Sequence, residues 1–145
     1  MTDETPPEDA FPAVTRGEGY AVTSLDAIGD GWGFRRVRRA LDVKELGANA
    51  IVLPPRYETG AHQHETQEEV YFVHTGSIEL EFGDGTRHPM EAGGVARVDA
   101  PTVRRLRNVG TVDAVVFVVG AKDGYVGRDG KLPEGEARAG GPIQD

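Results

Sequence analysis

The stretch His62-Gln63-His64-Glu65-Thr66-Gln67-Glu68-Glu69-Val70-Tyr71-Phe72-Val73-His74-Thr75-Gly76 decides how this chain is read. Its first two histidines are one residue apart. Side chains alternate along an extended strand, so both imidazoles leave the same face. After four further residues, Glu69 opens the apolar run Val70-Tyr71-Phe72-Val73, which reads as the next strand. Two imidazoles and a carboxylate converging from neighbouring strands make a three-ligand site for a divalent metal such as Fe, Mn, Ni or Zn. The bland alternative is a pair of surface histidines on a hairpin. Gly76 closes the run as a turn residue.

Parity sorts the remaining residues of the stretch. Glu68 and His74 are out of step with Glu69 and should face away from the site. Gln67 and Tyr71 share the parity of Glu69. Gln67 is a candidate to reach a bound ligand, with a solvated loop residue as the bland alternative. Tyr71 is a candidate cavity wall, with core packing as the alternative.

Working outward, the rhythm is of short strands broken by turns. Leu46 to Leu53 is apolar and must stop at Pro54-Pro55. Glu69 to Val73, Ser77 to Phe82 and Thr86 to Met90 follow, with Gly83-Asp84-Gly85 as a hairpin turn. Val95 to Val98, Val103 to Leu106 and Ala114 to Val119 complete the pattern. Tyr20 to Leu25 reads as an edge strand, and Phe34 to Leu41 as a strand loaded with Arg35, Arg36, Arg38 and Arg39. These arginines fit a solvated or interface face better than an anion site. Seven or more short strands predict an all-β protein, an antiparallel sandwich or barrel. Residues 1–19 read as a flexible arm, 20–122 as a single barrel domain, and 123–145 as a loose Gly-rich tail. Asp26, Asp30, Asp84 and Asp129 read as turn residues, His88 as structural, and Trp32 as a core or interface anchor.

Composition narrows the function. With 145 residues the chain is most simply one domain, and 20 glycines with 9 prolines argue against long helices. A net charge of −8 excludes non-specific binding of nucleic acid. Without cysteine there is no disulfide framework, thiol nucleophile or thiolate metal site. No apolar stretch approaches a membrane span and no signal-peptide pattern opens the chain, so a cytoplasmic protein with no membrane partner is expected.

The order His62-x-His64, four residues, Glu69, six residues, Gly76 resembles the first motif of the cupins. A second motif is then expected downstream: Gly, a run, Pro-x-Gly, two residues, His, three residues, Asn. The corresponding stretch here is Gly93-Gly94-Val95-Ala96-Arg97-Val98-Asp99-Ala100-Pro101-Thr102-Val103-Arg104-Arg105-Leu106-Arg107-Asn108. Gly93 and Asn108 fit, the Pro-x-Gly is lost, and Arg104 stands where the fourth ligand would be. The resemblance covers roughly Leu46 to Gly120. It implies a small jelly-roll (double-stranded β-helix) barrel with its site in the mouth, and a homodimer.

Arg104 changes the chemistry. A guanidinium carries five donors, no usable lone pair and a fixed charge, so it cannot ligate a metal. Two outcomes follow. It swings onto Glu69 as a charge-assisted pair, or it stands beside a three-ligand metal and grips an anionic substrate. The first leaves a degraded metal site and suits a non-catalytic binding or sensing module, whose cavity would hold a small anionic metabolite with Arg104 as the anchor and little or no metal. The second suits a metal-dependent oxygenase, isomerase or lyase acting on a small anionic metabolite. A third possibility is a dimerisation scaffold whose cavity is filled by Tyr71 and Leu106. The uncovered sheet edges of a small barrel also favour a homodimer, with Tyr20 to Leu41 at its interface.

Overall fold

The structure, a computed structural model, describes residues 11–127, 129–131 and 140–144. In chain order the elements are β1 (Thr15–Gly17), β2 (Tyr20–Val22), a 3-10 turn (Leu25–Ile28), β3 (Gly33–Arg35), α1 (Val37–Leu41), β4 (Gly47–Leu53), β5 (Tyr57–Glu58), β6 (Gln63–His64) and β7 (Glu68–Thr75). Then come β8 (Ser77–Phe82), β9 (Arg87–Glu91), β10 (Val95–Val98), β11 (Arg104–Asn108), β12 (Ala114–Ala121), β13 (Gly130–Lys131) and β14 (Gly141–Pro142). Among the described residues two five-stranded sheets face each other, ordered β10-β7-β12-β4-β3 and β14-β5-β11-β8-β9. Their pairings are antiparallel, as the jelly-roll expectation requires.

Alternation dictates the core. In β7 residues 69, 71 and 73 are buried while 68, 70, 72 and 74 are exposed. Tyr71 and Val73 meet Ile78 and Leu80 of β8, Val98 of β10, Leu106 of β11 and Val116 of β12 between the sheets. Each such aliphatic side chain contributes roughly 1.5–3 kcal/mol by leaving water. Gly76 has φ +74, and a Cβ there would come 2.6 Å from the Asp113 carbonyl oxygen, so the β7–β8 connection needs glycine. Asn108 is fully buried: its Nδ2 donates to the carbonyls of Leu53 and Val112, and its Oδ1 accepts from Gly110 N–H.

Outside the second sheet an ion-pair network replaces apolar packing. Glu58 accepts from Arg105 at 2.7 Å and Arg107 at 3.1 Å, and Arg107 also reaches Glu79 at 2.7 Å. Arg107 and Glu58 are both buried.

The Arg-loaded stretch Phe34 to Leu41 is not one strand. It splits into β3 and the single-turn helix α1, which ends at Asp42 in the left-handed region, φ 57. Val37 and Ala40 are its buried face. It packs on β4, whose outward Ala48 and Ala50 are small enough to admit a helix. Arg35 is buried and donates to the carbonyls of Leu25 and Gly31, and Arg38 lies 4.2 Å over the Tyr125 ring. These two arginines brace the chain rather than decorate a solvated face.

Residues 1–10 of the expected arm lie outside the described residues, while Thr15–Gly17 pairs with Tyr20–Val22. At the other end, where a loose tail was expected, β13 pairs with β6 and β14 with β5. No helix among the described residues is long and apolar enough to cross a membrane.

Candidate metal centre

The three ligand candidates reach one place from separate segments. His62 exchanges both backbone hydrogen bonds with Arg104 at 2.9 Å, which seats it beside β11. His64 lies in β6, held between Ala100 and β13. Glu69 projects from β7 opposite Val98 and Gly120. A ligand atom from each of His62, His64 and Glu69 lies within 4.8 Å of the others. His64 Nε2 is 3.2 Å from Glu69 Oε2, and the two imidazole rings stand edge-on, 5.6 Å apart.

The other carboxylate oxygen is already engaged. Glu69 Oε1 accepts from the Tyr71 hydroxyl at 2.7 Å and from Arg104 Nη2 at 2.9 Å. Arg104 Nε donates to the Tyr71 oxygen at 3.1 Å, and Nη1 to the carbonyls of Ala100 and Thr102 at 3.1 and 2.6 Å. The Arg104 side chain is fully buried. Of the two outcomes open to it, the structure shows the pair with Glu69. Burial alone would raise the Glu69 pKa, but its close contact with His64, the hydrogen bond from Tyr71 and the Arg104 charge outweigh it and bring it down to about 2. Burial, then the charge of Arg104, lowers the pKa of His62 and keeps its imidazole neutral. Burial beside the Glu69 carboxylate raises the pKa of Tyr71, which stays a hydrogen-bond donor.

These groups floor a cavity of about 710 Å³, within the range of small-molecule sites. Its walls include Phe34, Ile51, Leu53, Leu106, Val118 and Tyr125. Tyr71 and Leu106 therefore line the space rather than fill it. Trp32 is exposed at the cavity mouth, not packed in the core. Among the described residues no lysine or arginine lines the cavity. Gln67 is a buried wall residue rather than a solvated one, and its Oε1 accepts from Val126 N–H.

Two positions escape a reading of the sequence. Gly120 faces Glu69 across the sheet, and a Cβ there would lie 3.0 Å from Gln67 Nε2 and 3.1 Å from Glu69 Cγ. Asp129 is not merely a turn residue. It accepts from Thr66 N–H, the Thr66 hydroxyl and Gln67 N–H, and Oδ2 stands 3.3 Å from His64 Nδ1. An Asp-Gly pair signals a turn and nothing more, so only the fold reveals this contact.

Residues 50–120 match the family model described as "Cupin domain". No curated protein matches the chain. Among solved structures, an uncharacterized conserved protein with a double-stranded beta-helix domain from Klebsiella pneumoniae is similar at TM-score 0.63 and 18% identity, over 77% of this chain and 95% of that one. A Cupin 2 conserved barrel domain protein from Salinispora arenicola is similar at TM-score 0.50 and 24% identity, over 54% and 64% of the two chains. The DMSP lyase DddQ from Ruegeria pomeroyi is similar at TM-score 0.56 and 19% identity, over 65% of this chain but only 46% of the lyase. These likenesses show the fold, a double-stranded β-helix.

Proposed function

We propose that the chain is a cupin that binds a divalent metal through His62, His64 and Glu69 and uses it on a small molecule held in the cavity. The observation that carries this reading is the pairing of His64 Nε2 with Glu69 Oε2 at 3.2 Å beside His62. Two imidazole nitrogens and one carboxylate oxygen are a donor set suited to Fe, Mn, Ni or Zn. Glu69 fits because its two oxygens divide the work: Oε1 is taken by Tyr71 and Arg104, and Oε2 is turned to the histidines. Arg104 replaces the motif-two histidine in this reading, and it anchors Glu69 instead of the ion. When bound, the metal supplies Lewis-acid polarisation and a template for a substrate oxygen.

The chain's own residues do the rest. Ile51, Leu53, Leu106 and Val118 exclude water around the substrate body. Tyr71 and Gln67 shape the wall next to the ligands, and Tyr71 keeps its proton on Glu69. The apolar walls suit a substrate with an apolar body and one acidic oxygen group for the metal, and oxygenase, isomerase and lyase chemistries all suit that arrangement. A cytoplasmic setting completes the proposal.

A second reading is favoured by the Arg104–Glu69 pair, which satisfies Glu69 with no ion present. In it the barrel is a metal-free binding module. Elemental analysis and calorimetric titration with Zn(II) separate the two. The metal reading expects about one ion per chain, lost on His64→Ala. No uptake by the wild type would leave the binding module.

The proposed assembly is a homodimer. Val70 and Phe72 of β7 and Val95 of β10 are outward-facing and exposed, an apolar stripe that a second copy would cover. Light scattering should return twice the chain mass, and a monomer at high concentration would remove this part.

A further inference from the structure

We infer that Asp129 is a positioning residue for His64: it accepts the hydrogen bond from Nδ1–H and so fixes the tautomer whose Nε2 lone pair is offered to a metal. The inference rests on the metal reading above. It starts from an anomaly at the ring. Both nitrogens of His64 face carboxylate oxygens, Nε2 toward Glu69 at 3.2 Å and Nδ1 toward Asp129 at 3.3 Å. The second contact is close but poorly aligned. It leaves Nδ1 the one buried side-chain nitrogen or oxygen without a hydrogen bond among the described residues.

A neutral imidazole has one N–H and one lone pair. Whichever nitrogen carries the proton, the other then sets its lone pair against a carboxylate. A second proton on the ring removes that conflict by making both nitrogens donors, and a cation between Nε2 and Glu69 Oε2 removes it provided the remaining proton sits on Nδ1. The Asp129 side is the suitable one for the proton, because Asp129 cannot move away. Its carboxylate is buried and accepts from Thr66 N–H at 3.1 Å, the Thr66 hydroxyl at 2.8 Å and Gln67 N–H at 2.7 Å. Its carbonyl accepts from Glu65 N–H at 3.1 Å, and the next residue, Gly130, pairs with His64 itself. A Cβ on Gly130 would lie 3.4 Å from His64 Cε1, so the same strand runs close beside the ring. A carboxylate behind a ligating histidine sets its tautomer and raises its basicity. The segment around residues 129–131, beyond the span of the family match, is on this account part of the site.

The test compares wild type, Asp129→Asn and Thr66→Val. With its NH₂ in place of Oδ2, the Asp129→Asn side chain keeps an oxygen for Thr66, gives up the bond from Gln67 N–H and presents an NH₂ to Nδ1, which favours the proton on Nε2. Zn(II) affinity is measured by chelator competition, and the His64 tautomer by long-range ¹H–¹⁵N NMR on zinc-loaded and zinc-free protein. The expected result is an affinity loss of about 10–100-fold for Asp129→Asn, with the His64 proton shifted to Nε2 in the zinc-free variant. Thr66→Val should lower the melting temperature but hold the affinity within about twofold, since it touches the clasp and not the ring. If Asp129→Asn binds Zn(II) like the wild type with an unchanged tautomer, the assignment is overturned while the metal reading stands. If the wild type binds no Zn(II), the metal reading falls and takes the assignment with it.

Discussion

Replacing Arg104 by methionine should weaken the fold and tighten metal binding at the same time. Methionine keeps much of the length and apolar bulk but removes the charge. The variant loses the 2.9 Å pair with Glu69, the contact with Tyr71 and two bonds to backbone carbonyls. Deleting one partner of a buried pair costs about 3–5 kcal/mol. At roughly 2–4 °C per kcal/mol for a chain of this size, the metal-free melting temperature should fall by roughly 6–20 °C. The metal term has the opposite sign. A unit charge and a divalent charge about 6 Å apart repel by roughly 5 kcal/mol at an effective dielectric near 20. Even if relaxation and water cancel most of this, a gain of about tenfold in affinity, or ~1.4 kcal/mol, should survive. Thermal melts with chelator and with Zn(II), together with calorimetric titration, read both terms. Arg104→His should gain more, because it adds a donor. A variant that melts lower yet binds Zn(II) no better, or worse, would refute the reasoning: Arg104 would then serve the site by holding Glu69, with its charge unfelt.

Two other perturbations separate site from scaffold. Gly120→Ala forces Gln67 and Glu69 to give by a few tenths of an ångström. It should reduce Zn(II) affinity several-fold by calorimetry at a stability cost of roughly 1 kcal/mol. Glu58→Ala strips the buried Arg107 and its neighbour Arg105 of a shared partner, while Glu79 still holds Arg107. Urea denaturation should show a loss of roughly 3 kcal/mol, with Zn(II) affinity unchanged because the network lies on the outside of the barrel.

The parts of the site legible in the sequence are those set by strand parity. Glu69 and Tyr71 face the cavity because β7 alternates, and His62 and His64 share a face by their spacing of two. Arg104 was legible as standing in the fourth-ligand position with Glu69 as one possible partner, but not its place beneath the carboxylate instead of in the wall. That depends on the carbonyls of Ala100 and Thr102, which bind its Nη1 from a loop no pattern describes. The stretch Phe34 to Leu41 misled because its arginines mask a helical spacing. Val37, Ala40 and Leu41 stand at i, i+3 and i+4, and only the small outer face of β4 shows why a helix fits there. Asp129 was invisible for a different reason. Its partners are more than sixty positions earlier in the chain, and a long-range contact of this kind has no local signature.

The sheet orders also fix where copies of this chain can join strand to strand. In the sheet β14-β5-β11-β8-β9 both outer strands carry proline, Pro142 in β14 and Pro89 in β9. A proline on an edge strand turns its missing donor to the open side, so the ladder cannot be extended there without a gap. The other sheet ends in β10 and β3, which contain no proline. Among the described strands, backbone recruitment of a further chain is thus directional. One five-stranded layer is blunted at both ends, and of the two five-stranded layers it is the one that carries Glu69 whose described edges leave room for filaments or exchanged strands.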